Sequence, residues 1–177
     1  DVYTEALTGV DVARESVASV FGSALGEAST MIALLDQMWG PEGALSPMRF
    51  VMSVHNAAAG VVSVATKNQG FTTSLGADFD TPAMALLDGA GLALTRGEVV
   101  VVCCGDEASP EGLVTHGGGW SLVAAAIALA PVSFAEHAPQ LVLHGAGHAH
   151  GHHADVDARV AANPNAGLVD LVDLLAR

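Results

Sequence analysis

Residues 46–107 read SPMRFVMSVHNAAAGVVSVATKNQGFTTSLGADFDTPAMALLDGAGLALTRGEVVVVCCGDE, and the rest of the chain is organised around them. Three pieces follow one another. Ser53–Thr66 reads as a small-residue helix. Gly70–Phe79 reads as a strand and turn that opens a second small-residue helix, Thr81–Leu94. Val99–Val102 is a four-valine strand that stops at Gly105-Asp106-Glu107. A strand that runs into a sharp turn and then a buried helix is a common way to present a nucleophile.

Working outward, strands and helices alternate. Asp1–Leu7 reads as the end of a helix closed at Gly9, and Asp11–Arg14 as a short turn or helix. Ser16–Gly22 is a short strand of β-branched and aromatic residues. Ala28–Trp39 carries Ile32, Leu35, Met38 and Trp39 at core spacing and stops at Gly40-Pro41. Ser46-Pro47 starts a turn into the next helix. That helix, His55–Ala65, groups Ala57, Ala58, Ala59 and Gly60, so another backbone can approach closely and deep burial is expected. Phe71–Ala77 is a strand. In the helix after it, Pro82 sits where a first turn tolerates proline, with Thr81 or Asp80 as N-cap. Met84, Leu87, Gly91 and Leu94 recur at the 3–4 spacing of a core-facing stripe, and Gly97 closes the helix. Glu98–Cys104 has the apolar run of a central strand covered on both faces. Pro110–Gly119 is a loop, Trp120–Ala130 a strand whose alanines also allow a helix, and Gln140–His144 a strand. Gly145–Asp155 is a His- and Gly-rich loop, Val156–Ala162 a short piece, and Pro164–Arg177 ends in an amphipathic helix with Leu168, Leu171, Val172 and Leu175. The alternation predicts an α/β domain of three layers, α/β/α, with a mixed sheet of about five strands. No internal repeat or linker divides it, so residues 1–177 are expected to form one domain. The chain begins inside a helix-like pattern without Met or a basic leader, and a preceding segment is expected.

Composition narrows the function. A chain of 177 residues with 51% hydrophobic residues is long and apolar enough for a sizeable core. No apolar run reaches about 18 residues unbroken, so a membrane span is not expected. A net charge of −13 disfavours nucleic acid and anionic membranes as partners. Cys103 and Cys104 are neighbours in a strand. Their side chains point to opposite faces and cannot pair with each other, and a reduced cytoplasmic setting is the natural reading.

Five phrases at fixed spacing carry a resemblance: VFGSALGE, SPMRF, SVHNAAAG, QGFTTSLGA and VVVVCCGDE. Together they resemble the N-terminal half of β-ketoacyl synthases, the thiolase-like condensing enzymes. They look closest to the shortened ketosynthase-like proteins of aryl-polyene and related polyketide clusters. In that family an Asn-x-x-x-Gly helix precedes a Gly-Pro strand that ends at the catalytic cysteine. A helix follows, and a further strand closes with Gly-Gly-x-Glu. Asn56, Gly60, Gly70 and Glu107 fall in those places without a gap. Trp120–Leu129 and Leu141–Gly145 resemble later strands of the same half, so the resemblance covers most of the chain and implies half of a thiolase-like fold.

The same register puts Phe79 where the nucleophilic cysteine belongs. A phenyl ring cannot form a thioester, so the covalent step of a condensing enzyme is lost. Both catalytic histidines of the family lie in its C-terminal half, and neither motif is present. His144-Gly145-Ala146-Gly147-His148 resembles one of them only superficially, because by register it ends the first half.

Other side chains each have a plain reading beside a chemical one. Phe79 is expected to be a core aromatic at a helix start. His144, His148, His150, His152 and His153, with Asp155 and Asp157, have metal-ligand composition. Their alternation with Gly and Ala favours an exposed loop with adventitious zinc or nickel affinity. Ser74 with His55 or His116 and Asp78 or Asp80 suggests a hydrolase, but no Gly-x-Ser-x-Gly elbow is present, and the two aspartates read as helix caps. His55-Asn56 reads as a buried, hydrogen-bonded structural pair. Cys103 and Cys104 read as core packing, and Asp106 and Glu107 supply a field opposite to what a reactive thiol needs. Glu107 is expected, from the resemblance, to satisfy backbone donors in the core. Gly22–Gly26 lacks the Lys of a phosphate-binding loop.

The expected function is therefore a non-catalytic β-ketoacyl synthase-like subunit that supports fatty-acid or polyketide chain elongation, with no cofactor. It would act as a homodimer or as a heterodimer with a competent ketosynthase, joined along Phe71–Ala77, and shape the acyl tunnel as chain-length factors do. An acyl carrier protein is a further expected partner, although an acidic one would be repelled unless it met a local basic patch, and only six Lys and Arg are available. The alternatives are a stand-alone hydrolase or acyltransferase, or a metal-binding protein using the His-rich loop.

Overall fold

The computed structural model describes residues 1–41, 43–110, 113, 119–134, 137–142 and 153–177. In chain order the elements are α1 (Val2–Ala6), β1 (Ala18–Gly22), α2 (Ala28–Trp39), α3 (Pro47–Val51), α4 (Ala57–Thr66), β2 (Thr72–Leu75), α5 (Thr81–Arg96), β3 (Val100–Asp106), β4 (Val123–Leu129), α6 (Ala158–Ala161) and α7 (Ala166–Leu175). Single 3-10 turns stand at Arg14–Ser16, Asp78–Asp80 and Val132–Phe134.

The sheet is mixed, with strand order β2-β1-β3-β4. β1 runs parallel to both β2 and β3, and β4 is antiparallel to β3. Four strands are described where about five were expected. Residues 140–142, expected to start the last one, lie outside any strand, and residues 143 and 144 lie outside the described residues.

Strand alternation divides the core into two layers. Ala18, Val20, Val100, Val102 and Cys104 face α5 and α7, meeting Ala85, Ala93 and Leu168. Val17, Phe21 and Val101 face the other way, onto Tyr3 and Leu7 of the α1 region and Ala59 of α4. The two neighbouring cysteines fall on opposite sides as expected, Cys104 in the first cluster and Cys103 beside the second. The α/β/α layering is thus present.

α5 shows how a periodic pattern misleads. Its buried face is Ala85, Gly89 and Ala93, not the Met84–Leu94 stripe. A Cβ on Gly89 would overlap the Val102 side chain, so only small residues let the helix sit this close to the sheet. The larger residues Met84, Leu87 and Leu94 consequently point outward, Leu94 being 74% exposed. α4 departs from expectation in the same way. Only Ala57 and Ala59 are buried, and Val64 is 81% exposed.

Candidate functional site

The site is the turn between β2 and α5 and the segments that touch it. β2 stops at Leu75, and Gly76 follows because nothing larger fits. A Cβ there would stand 2.7 Å from both His55 Nε2 and Ser23 O. Asp78 then takes a left-handed backbone conformation, φ +51°, which non-glycine residues adopt at a cost. Thr81 holds the turn. It is fully buried, its hydroxyl donates to Asp78 O at 2.7 Å, and it accepts from Ala77 N–H at 2.9 Å. This corrects the expectation that the flanking aspartates cap the helix: Asp80 occupies the N-cap position, but its side chain makes no capping bond.

Turning inward at Thr81 leaves Phe79 outside. Its ring is 64% exposed, so it is not the core aromatic that was expected. The 3-10 geometry explains the difference, since Asp78–Asp80 form one tight turn with no buried member.

A cleft of about 510 Å³ opens beside the turn, lined by Ala24, His55, Asn56, Ser74, Leu75, Gly76 and Asp78. His55 Nε2 is hydrogen-bonded to Ser23 O at 2.8 Å, yet the residue is exposed, as is Asn56. The pair is not buried because α4 starts only at Ala57, leaving both residues in the preceding turn. Ser74 Oγ is buried without a protein partner. Ser74, His55 and Asp78 therefore share one cleft, but His55 Nε2 is engaged by backbone and the serine hydroxyl is unpaired. A Ser–His–Asp relay is not assembled among the described residues. His116 lies outside them.

Beneath the cleft sits the group the sequence reading missed. Asp106, at the end of β3, is 5% exposed. Its carboxylate accepts from Ser23 Oγ at 2.5 Å, Ala24 N–H at 3.0 Å, Leu25 N–H at 3.1 Å and the Asn165 side-chain amide. Charge-assisted bonds of this kind are the stronger ones, and they fix the loop after β1. That loop in turn presents Ser23 O to His55. The role of satisfying core donors, expected of Glu107, belongs to its neighbour. Glu107 is half-buried and accepts from Ser29 N–H at 2.7 Å, capping the N-terminus of α2 from the residue just after β3. Burial, with the nearby Glu107 charge adding to it, raises the Glu27 carboxyl pKa. Burial pushes the Cys103 thiol up to about 11 and Cys104 up to about 12, so neither is a thiolate at neutral pH.

The remaining expected positions are dispersed. Gly70 is required by close approach, because a Cβ would stand 2.5 Å from Val17 O. Gly60 faces open space. His153 Nδ1 meets Asp170 at 3.1 Å, while His144, His148, His150 and His152 lie outside the described residues. Among the described residues no three metal-ligating side chains converge, and no helix is long and apolar enough to cross a membrane.

The sequence profile of one family, Beta-ketoacyl synthase, N-terminal domain, matches residues 4–173. The chain belongs to that family. Two solved structures share its fold. One is a ketosynthase, ApeO, in complex with its chain length factor, ApeC, from Xenorhabdus doucetiae. The likeness to it is 24% identical, covers 54% of this chain and 40% of that one, and has a TM-score of 0.51. The other is the ishigamide ketosynthase/chain length factor, 20% identical over 73% of this chain and 40% of that one, with a TM-score of 0.61. The ketosynthase-like chain thus spans about 40% of the length of each. No curated protein matches it.

Proposed function

We propose that this β-ketoacyl synthase-type domain is a non-catalytic subunit of a cytoplasmic chain-elongating assembly, of fatty-acid or aryl-polyene polyketide type. It pairs with a competent ketosynthase and helps shape the acyl tunnel, and an acyl carrier protein serves the resulting pair. The observation that supports this most directly is the turn Gly76–Thr81. It keeps a strand–turn–helix frame, but its apex side chain is the exposed ring of Phe79, which offers no nucleophile. The outer edge of β2, which no strand covers among the described residues, is the pairing edge offered to a partner strand. The solved relatives contribute to this reading because their complexes contain a ketosynthase together with a chain length factor.

The test is co-expression of the tagged chain with a ketosynthase encoded beside it. Co-elution as a stable complex, with no fluorophosphonate or acyl-thioester labelling of this chain, is the expected result. A chain that purifies alone and is covalently labelled would instead make it a hydrolase or acyltransferase in its own right.

A further inference from the structure

Two parts of the chain meet at the cleft beside the Gly76–Thr81 turn. Ser74, Leu75, Gly76 and Asp78 belong to the end of β2 and that turn. Ala24, His55 and Asn56 lie where the chain departs towards α2 and where it returns from α3. The departure and the return touch. His55 Nε2 is hydrogen-bonded to Ser23 O at 2.8 Å, and a Cβ on Gly26 would stand 3.3 Å from His55 Cα. Gly26 also takes a left-handed conformation, φ +63°, which favours glycine. The excursion that carries α2 and α3 therefore begins and ends at one place, the edge of the cleft.

The excursion shares little with the body of the domain. In α2 only Ala28 and Leu34 are buried, and in α3 no residue is. Neither core cluster draws a side chain from either helix. The large side chains of α2 turn outward instead, with Met31, Leu35, Met38 and Trp39 each 40% or more exposed. The two helices are tied to one another, because Gln37 Nε2 donates to Ala44 O in the segment between them. Among the described residues one hydrogen bond ties them to the rest of the domain, from Ser29 N–H to Glu107. Segments with few buried contacts open at a lower free energy than a packed sheet. A unit whose two ends meet at one point, held down by a single tether, moves as a body about that point.

We propose that α2 and α3 form a hinged flap that pivots at Gly26 and His55, and that its position sets access to the cleft. With the flap down, the Ser74 hydroxyl in the cleft wall is shut off from solvent, as its buried Oγ shows. Swinging the flap draws the His55 ring off Ser23 O and away from Gly76, and the wall behind it becomes reachable. Glu107 is the catch: it holds α2 at its first turn without lining the cleft. The movement is independent of pairing at the β2 edge.

The test places a thiol in the cleft wall with Ser74→Cys and follows its modification by iodoacetamide at pH 7.5, in the whole chain, by peptide mass. Cys103 and Cys104 are internal controls, since both sit in β3 with raised pKa values and react only when the sheet itself opens. The expected result is slow modification of the introduced thiol. Adding Glu107→Ala, which releases the tether, should raise that rate at least tenfold while Cys103 and Cys104 stay unmodified and the circular dichroism is unchanged. An unchanged rate in that variant, or all three thiols reacting together, would overturn the proposal. So would modification of Ser74→Cys as fast as that of Phe79→Cys, since the cleft would then stand open throughout. Urea below the unfolding transition gives a second reading on Ser74→Cys alone, should Glu107→Ala fail to fold. The introduced thiol should become reactive at concentrations that leave Cys103 and Cys104 protected, and a common onset would overturn the flap.

Discussion

Ser23 Oγ donates to Asp106 Oδ1 across a gap of 2.5 Å, joining the loop after β1 to the end of β3. Asp106→Asn keeps the shape but sets an amide NH₂ among groups that are themselves donors. Buried donors left without an acceptor cost about 1–3 kcal/mol each. We expect a total loss of about 2–4 kcal/mol in urea unfolding, and a wild-type midpoint would refute the assigned role.

Gly76 and Gly60 should respond in opposite directions to the same change. At Gly76 an alanine Cβ meets His55 Nε2 and Ser23 O at 2.7 Å, so Gly76→Ala should destabilise by about 1–3 kcal/mol. At Gly60, inside α4 with open space around it, alanine should stabilise the isolated chain by about 0.5–1 kcal/mol. A lower melting temperature for Gly60→Ala would show that the smallness serves the chain's own packing.

Phe79→Cys tests the turn chemically. Its side chain is exposed, whereas the native cysteines are half-buried and buried with raised pKa values. At pH 7.5, iodoacetamide should modify one thiol quickly in the variant and none at that rate in the native chain, as read by intact mass. An unreactive new thiol would contradict the exposed turn.

Both native thiols have folded pKa values raised from an ordinary 9.0, to about 11 and about 12. Below pH 9 both the folded and unfolded chains hold these protons, and the thiols give stability no pH dependence. Above it the unfolded chain releases them first, so the stability contribution falls between about pH 9 and 12. Replacing both residues by alanine should flatten that part of the stability curve, measured by urea unfolding at each pH.

Leu87→Glu and Leu94→Glu place charges on the outward stripe of α5. Each should change the stability of the isolated chain by less than about 0.5 kcal/mol, the usual range for surface positions. Binding of the dye ANS to exposed apolar surface should fall. A loss of 2 kcal/mol or more would put the stripe back in the core.

The layer order and the central strand were readable because the run from Val99 into β3 is apolar at every position through Cys104, a pattern that a doubly covered strand needs. The start of the helix after the turn was readable from Thr81 and Pro82, whereas Gly76 was read as strand and lies past its end. What failed was choosing between two valid periodic faces. On α5, Met84-Leu87-Gly91-Leu94 and Ala85-Gly89-Ala93 both have helical spacing, and only the fit against Val102 decides which one turns inward. The strand pattern did hold the answer for Asp106. It shares parity with Val100, Val102 and Cys104, which all face the α5 and α7 layer, whereas Glu107 does not. Asn165 left no comparable signal, because its partner lies far away in sequence.

That distance has a consequence for how the protein is made. The Asp106 carboxylate draws its donors from residues 23–25 and from Asn165, segments far apart in the sequence. During synthesis the first three emerge well before the fourth. Contacts so remote in sequence form slowly, and domains settle from the N-terminus as they emerge. Until α7 arrives, the incomplete carboxylate cluster and the bare face of the sheet above it are open to chaperones and to proteases. The arrival of Asn165 therefore decides whether the nascent sheet is sealed or discarded.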